Sequence, residues 1–342
     1  MSHKSSFERV NRRKMENETT TKRKKIELDV KILATKAYDD QKPGTSGLRK
    51  RTRKFMSGQY LNNFVASTFE AIGEKKLRSS TLVVGGDGRF YNKEAIRVIV
   101  EMAAAYGVGK LIIGKDGLMS TPALSAMIRA RKALGGIILT ASHNPGGIDE
   151  DFGIKYNVEN GGPAPESVTS EIFRRTQTIS RFKIGTNVPT FSLSKCPSKI
   201  EIPGGMIVEI VDPTLGYVNL MKSVFDFDAI KKLLSRKDFS MIFDGLHGVA
   251  GPYVLVSQTH TLQNNNNKNK HTHTHIQIYS NTDMLEQFWW TNLGFRVRIL
   301  RVAYRRKILE AVIRIPISRT PQHLCLKWDF VKMGRLRKHR MM

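Results

Sequence analysis

The feature that most limits the folds open to this chain is a regular alternation between residues 82 and 142. Leu82-Val83-Val84, Leu111-Ile112-Ile113 and the Ile137-Ile138-Leu139 run after Gly135-Gly136 are short and apolar, and two longer segments of helical spacing separate them. From Lys93 to Tyr106 the apolar residues Ile96, Ile99, Val100 and Ala103 recur at helical intervals, and Gly107 stops the run. A second helix is expected from Thr121-Pro122 through Lys132, with Thr121 as its cap. Strands separated by helices must cross over to parallel neighbours. The expected class is therefore α/β, a mixed, largely parallel sheet with flanking helices.

The pattern extends on both sides. Val30, Ile32 and Leu33 begin a strand-like alternation, and Phe55 to Ile72 reads as a helix. Beyond residue 142, Pro165 starts a helix running to about Thr178, Ser180 to Gly205 reads as a loose surface excursion, and Met206 to Val211 is strand-like. Helices are expected after Asp212-Pro213 and from Asp226 to Leu234, and a strand at Met241 to Asp244.

A chain of 342 residues with 40% hydrophobic residues can build a core and suggests two domains. No apolar run approaches the roughly 18 residues needed to span a bilayer, and the N-terminus lacks the apolar segment of a signal peptide, so a cytoplasmic protein without a membrane partner is expected. Cys196 and Cys325 stand alone in no paired spacing, which indicates neither a disulfide framework nor a zinc site. The net charge of +26 would suit nucleic acid, but residues 1–30 carry +4 and residues 254–342 carry +12 of it. Much of the excess thus lies in terminal segments that read as solvated tails, and nucleic acid is not the expected partner. Nothing in the sequence sets an oligomeric state.

Chemistry concentrates in two loops. The run Gly135 to Gly147 carries an apolar strand into Thr140-Ala141-Ser142-His143-Asn144-Pro145-Gly146-Gly147, which presents the Ser142 hydroxyl beside His143. It does not match the G-x-S-x-G hydrolase elbow, because Thr140 and Asn144 occupy the glycine positions. Earlier, Lys42-Pro43-Gly44-Thr45-Ser46-Gly47-Leu48-Arg49-Lys50 is a glycine-punctuated loop whose free N–H groups and forked Arg49 guanidinium suit a phosphate. Gly85-Gly86-Asp87-Gly88-Arg89 matches neither G-x-G-x-x-G nor the P-loop, and reads as a structural turn.

The T-A-S-H-N-P-G-G and K-P-G-T-S-G-L-R-K strings resemble the active-serine loop and the N-terminal active-site loop of the α-D-phosphohexomutases, in their phosphoglucomutase branch. Asp151-Phe152-Gly153-Ile154-Lys155-Tyr156-Asn157 and Asn160-Gly161-Gly162-Pro163-Ala164-Pro165-Glu166 extend the resemblance, which covers about Val30 to Tyr253. Residues 1 to about 28 are polar, mixed in charge and without apolar periodicity, and read as a disordered basic tail, while the resemblance implies the family's domain 1 at 29–212 and the start of domain 2 at 213–253. It also implies that Ser142 is the phosphoserine, Lys155 the general acid/base and His143 an orienting or proton-transferring neighbour. Thr45, Ser46 and Arg49 then contact phosphate. The cofactor expected is Mg²⁺, bridging phospho-Ser142 and carboxylates, with glucose 1,6-bisphosphate as activator and hexose phosphates as the ligands. The reaction implied is interconversion of glucose 1-phosphate and glucose 6-phosphate. The alternatives are a non-catalytic remnant that binds sugar phosphates or a protein, and a basic nucleic-acid binder.

After Tyr253 the resemblance stops at Asn264 to Asn267, Lys268-Asn269-Lys270 and His271-Thr272-His273-Thr274-His275. The histidines could be a metal tract. A CACACA repeat encodes alternating His and Thr, however, and A-rich DNA encodes Asn and Lys, so the segment reads as translated non-coding sequence. Joining the third base of each codon to the first two of the next, from Val302 to Pro321, permits the string C-V-P-K-E-D-F-G-G-S-H-P-D-P-N-L-T-Y-A, which again resembles the family. Residues 254–342 are accordingly expected to be an aberrant tail, read-through followed by an exon out of frame. The family's D-x-D-x-D-R metal loop does not occur in the sequence. The expectation is a truncated, inactive chain.

Overall fold

The computed structural model describes residues 26–44, 46–234, 236, 239–240, 248–253, 299–304 and 307–312. In chain order the elements are β1 (Val30–Ala34), β2 (Leu48–Arg51), α1 (Thr52–Met56), α2 (Tyr60–Ile72), α3 (Glu74–Leu77), β3 (Thr81–Gly86), α4 (Asn92–Ala105), β4 (Lys110–Leu118), α5 (Thr121–Ala130), β5 (Gly135–Leu139), β6 (Asp151–Val158), α6 (Glu166–Thr176) and β7 (Arg181–Gly185). Then come β8 (Ser198–Glu201), β9 (Ile207–Val211), α7 (Leu215–Val224), α8 (Phe227–Leu234), β10 (Phe239–Ser240), β11 (Ile299–Tyr304) and β12 (Lys307–Val312).

The main sheet has seven strands in the order β2-β6-β5-β3-β4-β9-β8. Its centre, β5-β3-β4-β9, is parallel, because α4 and α5 carry the chain back across the sheet before β4 and β5 begin. No helix separates β5 from β6. The chain folds straight back, and β6 runs antiparallel to β5 and then to β2, as β8 does to β9 at the far edge.

Strand alternation divides the apolar residues between two layers. Leu82, Val84, Leu111, Ile113, Ile137, Leu139, Phe152 and Ile154 join Phe64 and Phe69 of α2, Ile96 and Ile99 of α4 and Ile172 of α6 on one face. Val83, Ile112 and Ile138 meet Ala123, Leu124 and Ile128 of α5, with Tyr253, on the other. Each such side chain contributes roughly 1.5–3 kcal/mol when fully buried, and helices on both faces are what a parallel sheet with two apolar faces requires. Phe55 stands edge-on to Tyr60 at 5.4 Å and to Phe152 at 5.0 Å, which seats α1 over β6.

Four expectations are corrected. The helix read over Phe55 to Ile72 is broken at Ser57–Gln59, where Gly58 takes φ +53°, giving α1 and α2. The cap of α5 is Ser120, whose Oγ accepts from the Ala123 N–H at 3.3 Å, and Thr121 is the first helical residue. The segment Ser180 to Gly205 is no loose excursion: β7 pairs with β1, β8 pairs with β9, and Phe182, Val188 and Ile202 are buried. Short period-two stretches such as Phe182-Lys183-Ile184 carry little signal on their own, and Arg97 fastens this stretch by donating to the Val188 and Pro189 carbonyls at 2.6 Å each. Lastly, Ile26 to Leu28 belong to the body rather than to a tail. Gly204 donates to the Ile26 carbonyl at 2.9 Å, Asn187 donates to that of Glu27 at 2.9 Å, and Leu28 packs on the core.

The strand expected at Met241 to Asp244 lies outside the described residues. So does most of the 254–342 segment, apart from β11 and β12, which pair antiparallel with each other, β11 also with β10.

Candidate active site

Ser142 follows the C-terminal end of β5 by three residues. The Thr140 N–H still donates to the Gly153 carbonyl at 2.9 Å, which carries the β5–β6 pairing one residue past the strand and delivers the loop to the sheet's edge. A Cβ on Gly153 would collide with the Thr140 carbonyl, so this close approach needs glycine. Ser142 then adopts φ +60°, a left-handed conformation uncommon for a residue with a Cβ. Its N–H donates to Thr140 Oγ1 at 2.9 Å, and its own Oγ is 3.5 Å from His143 Nδ1, with both side chains exposed. The loop closes on itself: the Asn144 N–H donates to the Ala141 carbonyl at 3.2 Å and Asn144 Nδ2 to Asp151 Oδ2 at 2.7 Å.

The register places the other candidates. Lys155 lies opposite Ile138 on β5, and Arg49 on β2 lies opposite Gly153. Directly paired residues in an antiparallel ladder share a face and the side-chain period is two, so Arg49, Lys155, Ile138 and Thr140 project to the same side of the sheet. Leu48, Leu139, Phe152 and Ile154 project to the other, into the larger core. Two cations therefore stand on one face, the face shared by Thr140 at the start of the loop that exposes Ser142. Burial holds the Lys155 amine below the ordinary lysine range, and the Arg49 guanidinium adds to the effect. The buried Arg49 Nε has no hydrogen-bond partner among the described residues.

Ser46 is exposed at the tip of the turn before β2, and Thr45 lies outside the described residues. Gly44 and Gly47 exchange two backbone hydrogen bonds, at 2.9 and 3.2 Å, across this turn. Gly47 has φ +90° and lies so close to β6 that an added Cβ would come 2.5 Å from the Lys155 Cβ.

Asp87 and Arg89, which read in the sequence as parts of a structural turn, reach the serine loop. Arg89 pairs with Asp87 at 3.0 Å and donates to the carbonyls of Ser142 at 2.8 Å, Asp151 at 2.9 Å and Pro145 at 3.0 Å. Thr140 donates to Asp87 Oδ2 at 2.6 Å. These partners are 53 to 62 residues apart, and no local sequence signal connects them.

The described residues do not fit a Mg²⁺ site. They contain no group of three or more His, Cys, Asp or Glu able to hold a metal ion, whereas Mg²⁺ requires near-octahedral oxygen ligation. The carboxylates of this loop region are engaged elsewhere, Asp87 by Arg89 and Thr140, Asp151 by Asn144.

Residues 40–183 match the family described as phosphoglucomutase/phosphomannomutase, alpha/beta/alpha domain I. The cytoplasmic phosphoglucomutase of Mesembryanthemum crystallinum is 54% identical over 232 residues, covering 66% of this chain and 40% of that protein. Phosphoglucomutase-1 of Dictyostelium discoideum is 51% identical over 225 residues, 66% of this chain and 39% of that one. The crystal structure of the open form of the exocytosis-sensitive phosphoprotein pp63/parafusin, a phosphoglucomutase from Paramecium, superposes with a TM-score of 0.64 at 41% identity, over 69% of this chain and 43% of that one. This chain spans about 40% of the length of the curated relatives it matches. In sequence and in fold, residues 40–183 carry the alpha/beta/alpha domain I of the phosphoglucomutase/phosphomannomutase family, and the N-terminal part of the chain is similar to these phosphoglucomutases.

Proposed function

We propose that this chain carries the phosphoserine half of a phosphoglucomutase site, with Ser142 as the residue that gives and takes the phosphoryl group of a hexose phosphate. The observation that supports this most is the common face: the register sets Arg49, Lys155 and Thr140 on one side of the sheet, and Thr140 leads into the turn that exposes Ser142. Phosphoryl transfer needs positive charge around a positioned nucleophile, and the two cations meet that need. When phosphoserine reacts, its Oγ–P bond breaks as a sugar hydroxyl oxygen bonds to phosphorus. That hydroxyl's proton passes to the amine of Lys155, whose charged form is disfavoured by its burial and by Arg49. Ser142 Oγ regains a proton from His143, whose Nδ1 is 3.5 Å away. Ser46 at the tip of the 44–47 turn, with Thr45 beside it, is assigned to the phosphate. The same reading puts the protein in the cytoplasm, with the domain boundary at 212/213 and hexose phosphates as its ligands.

The 342-residue chain by itself is proposed to turn over little or not at all. Positioning by remote parts of a substrate is worth roughly 7–11 kcal/mol of barrier, and in the complete family architecture the sugar-recognition and distal-phosphate segments lie after the point where this sequence diverges. The test has two arms. Purified chain should fail a coupled assay for glucose 6-phosphate even with Mg²⁺ and glucose 1,6-bisphosphate. A protein in which the shifted frame is restored should pass it, and should lose activity on Ser142→Ala. Appreciable turnover by the short chain, or activity surviving Ser142→Ala, refutes the reading.

A further inference from the structure

We propose that Arg89 and Asp87, on the β3–α4 turn, are positioning residues that hold Ser142 in its left-handed conformation and so aim the reactive loop. The inference deepens the function proposed above and rests on that reading for its catalytic meaning, but the device itself is argued from geometry alone.

Three features carry it. First, the Arg89 side chain is 8% exposed and that of Asp87 18%, so this is an enclosed ion pair rather than a solvated one. Second, the guanidinium serves as a hub. Its Nη2 donates to the Ser142 carbonyl, and its Nη1 donates to the carbonyls of Pro145 and Asp151, while Nε is fixed by Asp87. One planar group thus grips the start, the middle and the end of the loop from Ser142 to Asp151, a geometry that a lysine ammonium cannot reproduce. Third, Asp87 closes a ring: it accepts from Thr140 Oγ1, which in turn accepts from the Ser142 N–H. Both backbone polar groups of Ser142 are therefore held by one connected network. The left-handed φ of +60° is a conformation a serine leaves readily unless its surroundings over-determine it. Here the network does so, with Asp87 itself anchored by its N–H donating to the Leu139 carbonyl at 3.2 Å.

The test uses the full chain and amide hydrogen exchange read by mass spectrometry, with the Ser142 amide resonance as a spectroscopic signature. Arg89→Met should raise exchange across 142–151 by about tenfold or more, as expected for the loss of charge-assisted hydrogen bonds, while β3, β4 and α4 keep their protection. Arg89→Lys should restore part of it. Because Met at this position leaves Asp87 buried and unpaired, the double variant Asp87→Asn/Arg89→Met is made alongside it and should show the same local loss without global unfolding. A second measurement addresses strain. Ser142→Gly should raise the unfolding midpoint in the wild-type background, because glycine takes φ +60° freely, and should raise it less once Arg89 is Met and the serine is released. Unchanged exchange over 142–151 in both Arg89 variants, or an equal effect of Ser142→Gly in the two backgrounds, overturns the proposal. Phosphorylation of Ser142 by glucose 1,6-bisphosphate, read as intact mass, is scored separately. Its absence in the frame-restored protein counts against the proposed function and leaves the exchange result standing.

Discussion

The two loops that frame the candidate site are held in opposite ways. The 42–47 loop is held by shape: Gly44 and Gly47 bridge each other, and Gly47 presses onto the backbone and Cβ of Lys155 where no side chain fits. The 140–151 loop is held by polar side chains that come from elsewhere. Asp87 and Arg89 grip it from behind, and at its tip Arg51 meets Glu150 at 2.8 Å while Arg53 pairs with Asp149. Contact between close-packed backbones is indifferent to salt and pH, whereas an ion-pair and hydrogen-bond network responds to both wherever water reaches it. The loop held by shape carries Ser46, and the loop held by polar side chains carries Ser142.

This contrast can be broken by substitution, and the largest effect is expected where shape is in control. Gly47→Ala should destabilise the chain by about 1–3 kcal/mol, through overpacking against Lys155 and a φ of +90° that alanine resists. Urea unfolding reads the change directly, and a loss within error would mean that the loop is not held by close approach. Thr140→Val comes next. It removes both the acceptor for the Ser142 N–H and the donor to Asp87 while keeping volume, and should cost roughly 1–2 kcal/mol in the same assay.

The Lys155 amine sharpens the comparison from the electrostatic side. Its charged form is disfavoured in the fold by burial and by Arg49, so the folded chain binds fewer protons than the unfolded one as pH rises between the lowered folded pKa and the ordinary lysine value. Stability should therefore rise with pH through that window, and the penalty should be fully present below it. Lys155→Met should accordingly stabilise the chain at pH 7, by an amount that shrinks toward pH 10. Titration of methyl-labelled lysines by NMR should place Lys155 below its neighbours, and Arg49→Gln should move it back part of the way. A Lys155 that titrates with the surface lysines would remove its case as an acid/base. The smallest effect is expected at the loop's exposed tip, where Asp149→Asn should leave the melting temperature unchanged, since both partners of the Arg53 pair are solvent-exposed.

What was legible in the sequence follows from what is local. Ile96, Ile99, Val100 and Ala103 sit at helical spacing in the sequence and are buried on α4 in the fold, because the period of an amphipathic helix is written into consecutive residues. Ser142, His143, Arg49 and Lys155 stood out because each lies in a short contiguous motif. The break at Gly58 was missed and the cap of α5 was placed one residue late, since helix ends depend on backbone angles that several sequences satisfy equally well.

By itself, then, the sequence determined the α/β class, the order of strands and helices from Thr81 to Leu139, and the residue types proposed for phosphoryl chemistry. Only the tertiary structure decided that β6 returns antiparallel beside β5, which sets Lys155 and Arg49 on the same face as Thr140. It alone joined β7 to β1 across some 150 residues and brought Arg89 to the Ser142 carbonyl across 53. The physical reason is that strand pairing and charge-assisted hydrogen bonds reward proximity in space. A periodicity of apolar residues declares which face is buried without naming the partner that will cover it.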